Sequence, residues 1–162
     1  MEPRIKNPGM LIPDAMQALQ ALGASLQKGG IPARTLSLVH MRTSQINGCA
    51  VCLALHPTVF KDSETPERLY TVAAWRDAPY FTDAERAALA FAEAVTRLAD
   101  RSDPVPDEVW AEAARHYDER GLATLVLAIA ATNAWNRINV ATRQIAGSVR
   151  LPAEQTAAAH RA

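Results

Sequence analysis

Charge of one sign is what this chain most conspicuously lacks. Seventeen Lys+Arg stand against seventeen Asp+Glu, with no long like-charge block, so the electrostatic footprint that nucleic acid or an anionic membrane surface calls for is missing. Long apolar runs are missing too. The longest, Leu125 to Ala131, covers seven residues, far short of the ~20 a membrane-spanning helix needs. Met1 is followed by Glu2, Pro3 and Arg4 and not by a basic segment leading into an apolar stretch. No secretory signal is read there, and the expectation is a cytoplasmic protein. Aromatic residues make up only 6%, and no Val/Ile/Thr-rich alternating segment bounded by turn residues occurs, which argues against a sheet. Cysteine is reduced to two residues, Cys49 and Cys52.

What is present is alanine in quantity and apolar residues at helical spacing, so the fold class read from the chain is all-α. Its 162 residues suit a single domain, 1–162, with a core of its own. Pro13-Asp14 opens a helix carrying Met16, Leu19, Leu22 and Leu26, and Gly29-Gly30 closes it. Pro32 opens a second with Leu36 and Val39. Asn47-Gly48 interrupts that pattern, and Asn47 is the expected N-cap of a third helix starting near Cys49. Pro66 leads Leu69, Val72, Ala73 and Trp75. Thr82-Asp-Ala-Glu85 is a capping box ahead of Leu89, Ala92, Val95 and Leu98. Arg101 to Asp107, with two prolines, reads as a loop, and Val109, Trp110, Ala113 and Tyr117 as a short amphipathic turn or two. The last helix, from about Leu122 to Ile145, is apolar on nearly all sides near its middle, which implies burial from several directions or a subunit contact. The tail from Arg150 to Ala162 is expected to be loose.

The chemistry concentrates in Arg42 to His56, "RTSQINGCAVCLALH". In a reducing compartment a pair of cysteines three apart is seldom a permanent staple, and it would close too small a loop to constrain the unfolded chain much. If a helix starts at Gly48, Cys49, Cys52 and His56 fall at i, i+3 and i+7 on one face. A thiol at a helix N-terminus feels unsatisfied amides and the positive end of the dipole, both of which favour the thiolate. A histidine one turn on can accept or return the proton. Such a pair can reduce a peroxide by way of a sulfenic acid and a disulfide. Two other readings remain. His40, Cys49, Cys52 and His56 are a ligand set that zinc accepts, although two ligands on consecutive turns of one helix crowd a tetrahedral ion. The thiols can also be inert and buried.

"SQINGCAVCLALH" resembles the core motif of the alkylhydroperoxidase D-like proteins of the carboxymuconolactone decarboxylase superfamily, where Ser-Gln-hydrophobic-Asn-Gly-Cys-x-x-Cys-x-x-x-His is typical. "AAWRDAPYFTDAERAALAFAEAVTRLAD" and "ATNAWNRINVATR" resemble the Trp-containing linker, capped helix and Asn-x-x-Asn-Arg helix of the same family. The likeness runs from about Leu36 to Arg143. It implies an all-helical subunit of about six to seven helices that assembles into homotrimers or hexamers. It also implies Cys52 as the peroxidatic thiol, Cys49 as the resolving thiol and His56 as a member of the proton relay. The substrate implied is a hydroperoxide and the reductant a lipoyl-type or thioredoxin-like dithiol, with no metal or bound organic cofactor.

One position departs from the pattern. The family's relay usually has a glutamate twelve residues before the first cysteine, and here that residue is Ser37. A serine hydroxyl can orient a water but cannot act as a carboxylate base. His40, one turn further on, is the candidate substitute. Two alternative functions follow: a non-catalytic oligomeric redox sensor, and a carboxymuconolactone decarboxylase-like enzyme, although members with the latter activity generally lack the cysteine pair. His116 and His160 are read as surface residues. Trp75, Trp110 and Trp135 are read as core or interface packing, and Asn133, Asn136 and Arg137 as polar groups that hydrogen-bond helix ends or a neighbouring subunit.

Overall fold

Prolines and capping side chains set most of the helix starts. The structure, a computed structural model, describes residues 2–60 and 63–148. Pro8 and Pro13 occupy the first turns of α1 (Pro8–Leu11) and α2 (Pro13–Leu26), where a missing N–H is harmless and the fixed φ suits a helix. Pro32 is the N-cap of α3 (Ala33–Ile46). The short α4 (Ala50–Val59) follows. Pro66 then starts α5 (Pro66–Thr71), which tightens into a 3-10 turn over Val72–Ala74. The capping box at Thr82 and Glu85 opens α6 (Asp83–Thr96), with both reciprocal hydrogen bonds present. Next come α7 (Asp107–His116) and α8 (Glu119–Thr142), the latter capped by the Asp118 carboxylate on the Gly121 amide. Among the described residues there are eight α-helices and no strand. The single turn α1 is the element without a periodic signature, being too short to show one. The tail from Arg150 to Ala162 lies outside the described residues.

The junction between α3 and α4 differs from the sequence expectation. Asn47 is not the N-cap of α4 but the C-cap of α3. Gly48, at φ +64°, turns the chain left-handed, its amide bonds to Gln45 O, and the Cys49 amide bonds to Ser44 O. That is a Schellman ending, in which glycine avoids a Cβ penalty. The N-cap role passes to Cys49, whose sulfur accepts from the Cys52 amide at 3.2 Å.

α8 packs against α2, α3, α4, α6 and α7, and α3 packs against α4, α6, α8 and the 3-10 turn. The main core joins Leu36 and Val39 of α3, Phe91 and Ala92 of α6, and Leu122, Leu125 and Ile129 of α8. Gly29 closes the end of α2 on α8 so tightly that a Cβ there would clash with the Thr124 side chain. Leu38, Val72, Trp75, Phe81 and Leu89 form a second cluster under the 3-10 turn. α3 and α6 are also tied electrostatically. Buried Glu93 of α6 accepts from Arg42 Nε at 2.6 Å, Arg76 at 3.0 Å, Arg97 at 3.2 Å and Trp75 Nε1 at 3.1 Å. Burial alone would raise its pKa, but donation from Trp75, Arg42 and Arg76 outweighs burial and holds it down at about 2.

Candidate functional site

Cys49 and Cys52 are joined in a disulfide at the N-terminus of α4, with Cα atoms 5.4 Å apart. That separation lies within the usual disulfide range, and Cys49, as the N-cap, stands outside the helical dihedrals. Both sulfur-bearing residues are buried, in a small apolar cluster with Val51, Leu55 and Trp135. Their neighbours Gly48 and Ala50 are exposed, so the pair lies just beneath the surface.

Behind the pair, α3 meets α4 through a serine and two histidines. Ser37 Oγ is 2.9 Å from His56 Nε2, and the Ser37 carbonyl is 3.3 Å from the same nitrogen. A carbonyl only accepts, so Nε2 carries the hydrogen and Nδ1 the lone pair. That Nδ1 has no partner. Burial pushes the His56 pKa below its ordinary value, partly offset by the bond to the Ser37 carbonyl. The ring is therefore neutral at pH 7. His40 sits 5.6 Å from His56 between ring centroids, and both rings lie 5.2 Å from Phe60. Its Nδ1 is likewise sealed without a partner, and burial, with a smaller contribution from His56, lowers its pKa to about 3. Ser37, His40 and His56 are thus brought into contact, and Cys49 and Cys52 are joined at the N-terminus of the helix that carries His56. Among the described residues no group of three or more His, Cys, Asp or Glu is placed to hold a metal ion.

The third wall comes from α8. Asn136 is wholly buried; its Nδ2 lies 3.1 Å from Ser44 Oγ and 3.0 Å from Cys52 Sγ, and Asn139 Nδ2 lies 3.5 Å from the same sulfur. Asn47 Nδ2 donates to both Asn133 Oδ1 and Asn136 Oδ1 at 2.9 Å. Exposed Arg137 donates back along its own helix to Asn133 Oδ1 at 2.6 Å.

The matched family model is that of the carboxymuconolactone decarboxylase family, over residues 13–94, about half of the chain. The chain belongs to the carboxymuconolactone decarboxylase family. A member-length relative is the uncharacterised protein YdfG of Bacillus subtilis (strain 168), 34% identical over 139 residues, covering 85% of this chain and 93% of that protein. Among solved structures, an Agrobacterium tumefaciens protein of unknown function, named as a candidate AhpD antioxidant defence protein, superposes with a TM-score of 0.83. It is 32% identical, and the match covers 91% of this chain and 100% of that one. The apo debrominase Bmp8 shares the fold at a TM-score of 0.71 and 23% identity, over 91% of this chain and 76% of that one. The fold is therefore the all-helical, AhpD-like one.

In this family member the cysteine motif supplies only part of the polar groups gathered around the disulfide. Asn133 and Asn136 bond the α3 end through Asn47, as their sequence context suggests, but the contacts of Asn136 and Asn139 with Cys52 are not visible in sequence. The one available signal is that Asn136 and Asn139, three apart on α8, share a face. Of the three tryptophans, Trp75 is buried, Trp135 packs on the disulfide and Trp110 is 45% exposed. His116 is exposed and pairs with Glu112; His160 lies outside the described residues.

Proposed function

We propose that the protein is a Cys-x-x-Cys thiol oxidoreductase that reduces hydroperoxides with electrons from an external dithiol. The observation that carries this reading is the bonding of Cys49 to Cys52 at a helix N-terminus, because these are the sulfurs that close a peroxide-reducing cycle. In the reduced protein the Cys52 thiolate attacks the hydroperoxide; an S–O bond forms, the O–O bond breaks, and the alcohol leaves with a proton. Cys49 then attacks Cys52 Sγ, the disulfide forms and water leaves. A lipoyl-type or thioredoxin-like dithiol returns two electrons and is itself oxidised. Neutral His56, one turn beyond Cys52, moves the proton through its unpartnered Nδ1, with the Ser37 carbonyl fixing the tautomer. His40 packs beside His56 as a structural neighbour of that relay. The same proposal includes a reducing, cytoplasmic setting and a homotrimer or hexamer.

The test is a titration of free thiols. One equivalent of hydroperoxide takes the reduced protein from two free thiols to none; Cys52→Ser abolishes the reaction and Cys49→Ser stops it at the sulfenic acid. A lasting sulfinic acid on Cys52, with Cys49 still reduced, removes the resolving role. One observation favours a second reading. No carboxylate is among the hydrogen-bond partners of His56 in the described residues, which fits a redox sensor whose thiols change state with little turnover. A hydroperoxide assay coupled to dihydrolipoamide separates the two.

A further inference from the structure

We propose that Asn136 and Asn139 of α8 hold the Cys52 thiolate through direct N–H···S hydrogen bonds and so set the acidity and redox poise of the cysteine pair. The proposal rests on the reading of Cys52 as the reacting thiol.

The direction of these amides is determined by residues outside the pair. Arg137 is a guanidinium and can only donate, so the Asn133 atom it meets at 2.6 Å is the carbonyl oxygen. Asn47 reaches that same oxygen and therefore presents its NH2 group. The other contact of this NH2, at 2.9 Å, is with Asn136, which must offer Oδ1 there. Asn136 is left with its NH2 turned the other way, one hydrogen toward Ser44 Oγ and one toward Cys52 Sγ. Rotating the amide would face oxygen against sulfur and leave Asn47 donating to a donor. In a fully buried residue either mismatch leaves a polar group unsatisfied away from water, which is costly. Asn139 adds a second, longer N–H from the same helix face.

A neutral thiol or a disulfide sulfur accepts hydrogen bonds weakly, whereas a thiolate accepts them strongly. Two amide donors therefore stabilise the thiolate over both alternatives, lowering the Cys52 pKa and making the disulfide easier to reduce. Cys49 is served differently, by the Cys52 backbone amide at 3.2 Å. The charged and titratable groups of the packed elements are His56 on α4, Arg34, His40 and Arg42 on α3, and Glu119, Arg120 and Arg137 on α8. Arg34 bonds to Ser63 O, Arg42 to Glu93, Arg120 to Lys28 O and Arg137 to Asn133. None of these groups bonds to Cys52 Sγ among the described residues. The amides are its side-chain donors there.

The experiment uses full-length Cys49→Ser protein, in which Cys52 is the sole thiol, and follows iodoacetamide alkylation and thiolate absorbance against pH. Asn139→Ala and Asn136→Ala should each raise the Cys52 pKa, by about one unit. A one-unit rise lowers the thiolate fraction ~10-fold below the pKa, and the greater nucleophilicity of the more basic thiolate returns part, so alkylation at neutral pH should slow ~3-fold. Asn139→Asp, similar in shape but with an acceptor facing the sulfur, should raise the pKa further than Asn139→Ala; a merely structural role does not produce that order. In the two-cysteine protein, Asn139→Ala should leave more disulfide at a fixed ratio of reduced to oxidised dihydrolipoamide. If Asn136→Ala does not fold, the two Asn139 variants decide. An unchanged Cys52 pKa in folded Asn139→Ala and Asn139→Asp overturns the proposal. The expected order of pKa values in a protein that fails to reduce hydroperoxide supports the amide role and removes the peroxidase reading alone.

Discussion

Ser37 and His56 illustrate how much one side chain decides here. The Ser37 carbonyl, 3.3 Å from Nε2, selects the tautomer, whereas the hydroxyl at 2.9 Å suits either tautomer and supplies no negative charge. General-base help is typically worth ~10²–10⁴-fold in rate, so wild-type turnover should be weak if a carboxylate is needed. Ser37→Glu should raise the hydroperoxide-dependent rate at neutral pH. Because Ser37 is fully buried, the larger side chain should also lower stability by about 1–3 kcal/mol through overpacking. His40→Ala should leave the rate nearly unchanged; a collapse in His40→Ala without a gain in Ser37→Glu would assign the relay to His40. His40 has its own pH signature. Its folded pKa, near 3, lies below the ordinary 6.5, so the unfolded chain binds the proton more readily. Its stabilising effect is complete above pH 6.5 and is lost as pH falls toward 3, with a slope of about 1.4 kcal/mol per pH unit. Urea titrations of wild type and His40→Leu between pH 7 and 4 should differ by that slope.

Between elements, α3 and α6 depend on a buried carboxylate as well as on apolar packing. Glu93 joins Arg42 on α3 to Arg76, beyond the 3-10 turn, and to Arg97 at its own helix end. With a folded pKa of about 2 against 4.5, the ionised form stabilises the fold at neutral pH by about 3 kcal/mol. That contribution is present above pH 4.5 and is lost as pH falls to 2. Glu93→Gln should therefore cost about 3 kcal/mol at pH 7 by urea unfolding, and the difference from wild type should shrink toward zero near pH 2. The α3–α4 junction works by backbone geometry instead. Gly48 ends α3, and Cys49 becomes the cap of the next helix. The cysteine pair thus gains its location from the end of α3, not from a longer α4.

For the whole molecule, the exposed apolar side chains bear on the proposed homo-oligomer. Leu127 and Val140 on α8 and Trp110 on α7 are 46%, 47% and 45% exposed, and these are side chains that the proposed assembly would cover. Light scattering at low micromolar concentration should give a mass several times 17.5 kDa. A mass near that of one chain would refute the oligomer. No helix among the described residues is long and apolar enough to cross a membrane.

The helices themselves were legible because their signals are local: a proline in the first turn, a capping box at Thr82, apolar residues three and four apart. The placement of Cys52 and His56 on one short helix, with Cys49 at its cap, was legible for the same reason. Asn47 was misplaced because Asn-Gly serves equally as the end of one helix or the start of the next, and only the bonds to Ser44 and Gln45 distinguish them. Ser37 was visible as a departure from a pattern, yet its contact with His56 needed two helices to pack. Asn136 and Asn139 lie 84 and 87 residues from Cys52. Local spacing determines which face a residue takes on its own helix, but which sulfur, carboxylate or ring that face meets depends on the packing of α8 across α3 and α4, and tertiary structure alone decided it.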